Sequence, residues 1–350
     1  METVLKESMA AQQRFEIAEA SQIAFARRAA GELARGLGFD ETVAGELAIV
    51  VTELGTNLLK HAQHGEVLVR PLIDGARYGI EVLSIDSGPG IRDLYRCFED
   101  GYTTAGSPGT GMGAIQRLSD ELDLWSAPAL GTVLRAVFWN KPATAERASG
   151  VTYGVVNLPL QTETVSGDAW SCHASADTFT VLVADGLGHG PQANVAAIEA
   201  AKVLAQDGDA PLERIMDLAN DALRPTRGAA VGIARMPTFS SAMDARVVFA
   251  GIGNIAASVW TDSSHKHLVS HSGIVGHSAA RRTQTFDVPY PPNALVVLHS
   301  DGLTSRWDLA RYPGLSLRHP SLVAAVLYRD FARGRDDVTV FVARAAGAVA

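Results

Sequence analysis

VLVADGLGHG, residues 181–190, runs through Val181, Leu182, Val183 and Ala184 straight into Asp185, and three glycines follow the aspartate. An unbroken apolar run of this length, closed by glycine, reads as a buried strand. A carboxylate at the end of such a strand is costly unless a partner replaces its lost water. The arrangement recurs in SGDAW with Asp168, in LHSDGLTS with Asp301 and in RDDVTVFVAR with Asp336 and Asp337. Aspartates recurring at strand ends point to carboxylates converging on hard cations, with oxygen as donor and no cysteine required. Two divalent ions held in this way can polarise a phosphoryl oxygen and activate water. Glycine at position 186 leaves its own carbonyl able to join such a shell.

The first half carries a different constellation. In VTELGTNLLKHA (51–62), Glu53 and Asn57 are four apart and share a helix face, with Lys60 and His61 one turn on. An Asn carboxamide can ligate a metal through oxygen, and a neighbouring carboxylate can deprotonate an attacking group. IDSGPGI (85–91) ends an apolar strand with Asp86, which can accept a hydrogen bond from an exocyclic amine while Gly88 and Gly90 admit a base to the backbone. GTGMGA (109–114) sets Gly109, Gly111 and Gly113 at the start of a helical pattern, where backbone N–H groups meet phosphates. The loop is neither a GxxxxGK[ST] P-loop nor a GxGxxG fingerprint.

Around these motifs the chain is an ordinary globular sequence of 350 residues, 47% hydrophobic and 19% charged, long enough for two cores. Its 30 Lys and Arg against 38 Asp and Glu, net −8, argue against a nucleic-acid role. Two cysteines, Cys97 and Cys172, exclude a disulfide framework and fit a reducing compartment. With no apolar signal core in METVLKESMAAQQRF and no run of about 18 apolar residues, the expectation is a cytoplasmic protein without a membrane role. The spacing predicts a strand over 14–20, helices over 21–39 and 41–62, strands over 66–73 and 78–86, a short helix from 112, and strands ELDLWSA and GTVLRAVFW. NKPATAERASG, residues 140–150, reads as a linker between a domain at 1–139 and another at 151–350. The second half predicts strands flanking a central helix pair, over 191–206 and 211–224, then a helix near 321–331 and a last strand. The class expected is α+β, in layers, rather than a doubly wound parallel sheet.

In order and spacing, the acidic–Asn helix, DSGPG, a loop of about twenty residues, GTGMG and the strand GTVLRAVF resemble the Bergerat (GHKL) ATP-binding α/β sandwich. The likeness, over roughly residues 10–139, is nearest to the serine kinases of bacterial partner switching: anti-sigma-factor and stressosome-switch kinases. It implies ATP and Mg²⁺ as cofactors, Asn57 as the Mg²⁺ ligand, Glu53 as base on the acceptor hydroxyl and Asp86 as reader of adenine. Thr132 would support the adenine contact, Gly109, Thr110, Gly111, Met112 and Gly113 would form the phosphate lid, and Lys60 would lie near the phosphates. Histidine kinases share this fold but need an upstream helix pair bearing the acceptor His, which the residues before Arg14 do not supply.

The pattern GD…ADGxGHG…SDGL…DDVT is similar to the compact SpoIIE-type branch of the metal-dependent (PPM) serine/threonine phosphatases, over about residues 151–345. The resemblance implies two Mn²⁺ or Mg²⁺ ions on Asp168, Asp185, Asp301, Asp336 and the Gly186 carbonyl, with Asp185 central to catalysis. Asp337 stands where relatives often carry Asn, and His189 reads as a turn residue. The expected whole is a fused kinase and phosphatase acting on STAS-domain antagonist proteins that control a sigma factor or another signalling output. The alternative is an ATP-binding partner-capturing or allosteric module fused to a working phosphatase.

Overall fold

A computed structural model of the chain describes residues 12–62, 65–74, 77–94, 97, 111–140, 150–239, 244–277 and 283–346. These form two compact units, one of residues 12–140 with 309–318 and the other of 150–308 with 319–346. Most of the expected linker, 140–150, lies outside the described residues.

The first unit opens with strand β1 (Gln13–Glu16), helix α1 (Ala20–Gly36) and helix α2 (Glu41–His61). β1 is shorter than the alternation predicts because the chain turns into α1 through a capping box. The backbone N–H groups of Ala18 and Glu19 donate to Gln22 Oε1 at 2.6 and 2.9 Å. Asp40 caps α2 as its sequence implies, its carboxylate accepting from Val43 N at 2.9 Å. β2 (Gly65–Asp74), β3 (Arg77–Asp86), helix α3 (Gly111–Leu118), β4 (Glu121–Ser126) and β5 (Thr132–Trp139) complete an antiparallel sheet ordered β1-β2-β3-β5-β4.

Val67, Val69, Val82, Leu134, Ala136 and Phe138 meet Leu47, Val50, Val51 and Leu54 of α2 in one core. Each fully buried Leu or Val contributes about 1.5–3 kcal/mol relative to exposure. This explains why α2, the one described helix long and apolar enough to pass for a membrane span, is a core helix. Alternate residues of the same strands carry a buried ion cluster. Glu81 accepts from Arg70 Nε at 2.7 Å and from Arg135 Nε at 2.6 Å, and Arg135 reaches Glu121 at 3.0 Å. The late segment 309–318 belongs to this unit through Trp125, whose Nε1 donates to Pro313 O at 3.0 Å and whose ring meets Tyr312 edge-on.

The second unit stacks two antiparallel sheets. β13-β10-β9-β8-β7 comprises β7 (Asp168–Ala174), β8 (Thr178–Gly186), β9 (Ala229–Pro237), β10 (Arg246–Ile252) and β13 (Phe286–Pro289). β12-β11-β14-β15-β6 comprises β6 (Val151–Leu158), β11 (Ala256–Thr261), β12 (Ser264–Leu268), β14 (Leu295–His299) and β15 (Val338–Ala345). Helices α4 (Pro191–Asp207) and α5 (Leu212–Leu223) cover the first sheet, and α6 (Pro320–Phe331) packs on β6 and β15 of the second. The unbroken apolar run of β8 now has its cause. Val181 and Val183 join the core between the sheets with Phe249, Val296 and Phe341, while Leu182 and Ala184 join the helix-side core with Ala197, Leu204 and Ile215. A strand clad on both faces has no solvent side to mark with polar residues.

Candidate active sites

In the first unit α2 presents Glu53 and Asn57, both half-buried, on one face. The N-terminus of α3 lies over them. A Cβ on Gly111 would fall 2.6 Å from Glu53 Oε2 and 4.0 Å from Asn57 Oδ1, so the carboxylate end lies directly against the backbone of α3. Asn57 Nδ2 lies 3.7 Å from Met112 Sδ, and Gly113 is buried in the same turn. The N-terminus of α3 thus stands beside a carboxylate and a carboxamide, the setting for a nucleotide phosphate and its cation.

Asp86 closes β3 opposite Thr132 in the ladder; its Oδ1 accepts from Gly88 N at 2.7 Å and Thr132 N at 3.2 Å. Gly88 approaches the carbonyl of His61, where a Cβ would sit 2.7 Å away, and Gly90 takes the left-handed conformation at φ 74° against Ala127. The structure therefore joins Asp86, Gly88, Gly90 and Thr132 in one corner, and Glu53, Asn57, Gly111 and Met112 in another. Lys60 is exposed and, among the described residues, has no side-chain partner; Gly109 and Thr110 lie outside the described residues. Ser126, which the sequence reading passed over, ties the corner together: its hydroxyl accepts from Ile91 N at 2.8 Å and meets Thr132 Oγ1 at 2.9 Å.

In the second unit Asp168 and Asp185 are direct cross-strand partners at the ends of β7 and β8. Asp301 follows β14, and Asp336 and Asp337 precede β15 in the other sheet, so the five carboxylates converge where the two sheets end together. Backbone fixes the convergence. Ser300 N donates to Thr339 O at 3.1 Å, and Thr339 N returns a bond to Ser300 Oγ at 2.9 Å. Asn157 Nδ2 donates to Thr339 Oγ1 at 2.7 Å and to the Asp168 carbonyl at 3.3 Å, linking the sheets. The glycines beside the aspartates are close-approach residues: a Cβ on Gly186 would collide with Ala193 O, and one on Gly302 with Asp337 O.

Burial pushes the Asp168 carboxyl well above the usual range, and the Asp185 charge adds to the effect. Asp185 is raised to about 7, first by burial and then by Asp301 and Asp336. Asp336 and Asp337 are raised by burial as well. Asp168 Oδ2 and Asp337 Oδ2 are buried with no hydrogen-bond partner. Like charges and orphaned oxygens at one place are stabilised by cations, and an all-oxygen donor set suits Mg²⁺ or Mn²⁺. Among the described residues no three acidic, His or Cys side chains form a closed cage by themselves. An ion here would draw on one or two carboxylates, the Gly186 carbonyl and water, as Mg²⁺ habitually does.

Asp337 thus belongs to the cluster more deeply than its sequence position implied, being 3% exposed with Oδ1 accepting from Leu160 N at 2.9 Å. Asn254 was not anticipated at all. Its Nδ2 donates to Asp301 Oδ2 at 2.7 Å, and its amide favours the ionised form of Asp185 against the effect of burial. The available signal was GIGN, residues 251–254, a glycine turn at φ 99° closing β10 with a polar residue aimed at the strand ends. His189, in the loop after Asp185, pairs through Nδ1 with Glu163 at 2.6 Å.

Comparison with known proteins gives each unit a relative. A family described as histidine kinase-like ATPase domain matches residues 17–138, and one described as stage II sporulation protein E (SpoIIE) matches residues 175–346. The serine/threonine-protein kinase RsbT of Bacillus subtilis (strain 168) is 32% identical over 117 residues, 33% of this chain and 88% of its own length. An anti-sigma F factor of Thermoanaerobacter sp. (strain X514) is 31% identical over 96 residues, 26% of this chain and 66% of that protein. A solved chain from work on the bacterial stressosome, described there as a modular system adapted to control secondary messenger signaling, is 27% identical with a TM-score of 0.50. It covers 55% of this chain and 99% of that one.

Proposed function

Because the chain belongs, through its first unit, to the family of the serine/threonine-protein kinase RsbT and carries a SpoIIE match in its second, we propose that it is a two-way protein switch. The first unit transfers phosphate from ATP to a serine or threonine of a protein, and the second hydrolyses that phosphate. The observation that supports this reading is the presence in one chain of two different polar constellations suited to phosphate chemistry. One is Glu53 and Asn57 under the N-terminus of α3; the other is five carboxylates converging from two sheets.

In the kinase unit Asn57 would hold Mg²⁺ through its carboxamide oxygen, and Glu53 would accept the proton of the acceptor hydroxyl. Asp86, oriented by Gly88 N and Thr132 N, would accept from the adenine amine, and the α3 N-terminus would meet the phosphates. In the phosphatase unit Asp185, Asp301, Asp336, Asp168 and the Gly186 carbonyl would hold two divalent ions, which supply polarisation of the phosphoryl group and activation of water. Asn254 keeps Asp301 oriented, and Asp337 secures the Leu160 backbone. Hydrolysis bonds water oxygen to phosphorus, breaks the bond to the serine or threonine Oγ, and returns a proton to that oxygen.

The substrates are STAS-domain antagonist proteins of a partner-switching circuit. A phosphoryl group adds about −1.5 to −2 charges to their interface and weakens its grip; hydrolysis restores it. The test is a phosphate-affinity gel time course with MgATP, Mn²⁺ and a STAS-domain protein of the same genome, comparing wild type with Asp185→Ala. Phospho-STAS should accumulate in the variant and decay or never build up in the wild type. Absence of labelling by either protein refutes the kinase assignment for that partner and leaves the first unit as an ATP-binding module.

A further inference from the structure

We propose that Arg227 anchors the phosphoryl group of the phosphatase substrate. The proposal rests on the phosphatase reading above and deepens it. Arg227 lies outside every motif that the sequence singled out, in the turn PTRG (225–228) between α5 and β9. That turn is rigid. Thr226 Oγ1 donates to Leu223 O at 2.7 Å and accepts from Gly228 N at 3.0 Å. Gly228 is left-handed at φ 78°, and a Cβ there would fall 2.6–2.7 Å from Ile274, His277 and the Val275 carbonyl. The turn is also fastened to the acidic loop, since Leu187 N donates to Gly228 O at 3.0 Å.

From this support the guanidinium reaches back over the loop that begins with Asp185. Its Nη1 lies 3.2 Å from the position a Cβ would take on Gly188, which is itself left-handed at φ 91°. The cation therefore rests against bare backbone three residues beyond Asp185. It is exposed and, among the described residues, has neither a hydrogen bond nor an ion pair. Arg224, Arg246 and Arg329 of the same unit pair with Asp221, Asp287 and Asp330, and the charge of Arg333 acts on Asp336. An unpaired guanidinium beside the loop that follows Asp185 has a clear use. A phosphate dianion approaching five carboxylates needs cations, and the planar fork of arginine donates two parallel hydrogen bonds to phosphate oxygens.

Inorganic phosphate is the simplest probe, because it carries the phosphoryl oxygens and nothing else. Wild type, Arg227→Ala and Arg227→Lys would be compared in Mn²⁺ by calorimetric titration with phosphate and by hydrolysis of p-nitrophenyl phosphate. Loss of a charge-assisted pair should weaken phosphate binding and raise KM for p-nitrophenyl phosphate by about 10-fold or more in the alanine variant. Lysine should recover part of the loss, and Mn²⁺ binding should be unchanged in all three, which shows the loop intact. Unchanged phosphate affinity and KM in Arg227→Ala overturn the proposal. So does a defect confined to phosphoprotein, which would place Arg227 against a flanking acidic side chain. A wild type that hydrolyses neither substrate in Mn²⁺ or Mg²⁺ overturns the phosphatase reading itself, and the assignment of Arg227 falls with it.

Discussion

Replacing Asp185 by Asn should stabilise the cation-free protein at neutral and alkaline pH while greatly weakening its response to divalent ions. The wild-type carboxyl is raised to about 7 by burial and by Asp301 and Asp336, whereas in the unfolded chain it titrates near the ordinary value of about 3.9. Below about pH 4 both states hold the proton and the group contributes no pH dependence. Between about pH 4 and pH 7 the folded state binds a proton that the unfolded chain has released, so stability falls as pH rises; above about 7 the loss is complete. From pH 5 to pH 7 that is about two pH units at 1.36 kcal/mol each, or about 2–3 kcal/mol. Asparagine keeps the shape, has no ionised form and escapes the loss. Thermal unfolding in a chelator should therefore show Asp185→Asn gaining about 2–3 kcal/mol on wild type between pH 5 and pH 8, roughly 5–10 °C for a unit of this size. Mn²⁺ at a hundred times its dissociation constant should return about 2.7 kcal/mol to the wild type and far less to the variant. A gap that is the same at both pH values, or a wild type indifferent to Mn²⁺, refutes the argument that repulsion among these carboxylates is what a cation relieves.

Three further outcomes are expected. Glu53→Gln should retain ATP binding, measured by titration of a fluorescent nucleotide, yet lose transfer to the protein acceptor by at least about 100-fold, as removal of a general base does; unimpaired transfer would assign Glu53 a structural role. Gly186→Ala drives a Cβ into Ala193 O, so the first turn of α4 must shift at a cost of about 1–3 kcal/mol, and calorimetry should find Mn²⁺ affinity reduced. Glu81→Gln removes the buried negative charge that Arg70 and Arg135 share and should destabilise the first unit by about 3–5 kcal/mol in denaturant unfolding; a change under about 1 kcal/mol would mean that the arginines find other partners or water.

The clustered carboxylates were legible as candidates because most announce themselves locally: an apolar strand, an aspartate and a glycine nearby. Glu53 and Asn57 were legible because helical spacing alone sets them on one face. Asn254 and Arg227 carry no such local mark. Each sits in a short polar or glycine turn of a kind common to any globular chain, and each gains meaning only from what lies across from it: Asp301 for Asn254, Gly188 for Arg227. Asp337 was undervalued for a related reason, since adjacent aspartates alternate in direction at a strand start and only packing decides which one is buried.

What the sequence by itself determined is the class of chemistry at each end of the chain. Residue type and short-range spacing suffice for that, because they dictate strand, helix face and close-approach glycine. The tertiary structure decided the rest, through contacts between residues far apart in the chain. Pairing of β7 with β8 sets Asp168 opposite Asp185, and the stacked sheets bring Asp301, Asp336 and Asp337 to the same edge. Residues 309–318 join the first unit through Trp125 although nearly two hundred residues separate them in the chain. Periodicity reports which face of an element is apolar; the partner that covers the face, and the polar atom aimed at it, are properties of the assembled core.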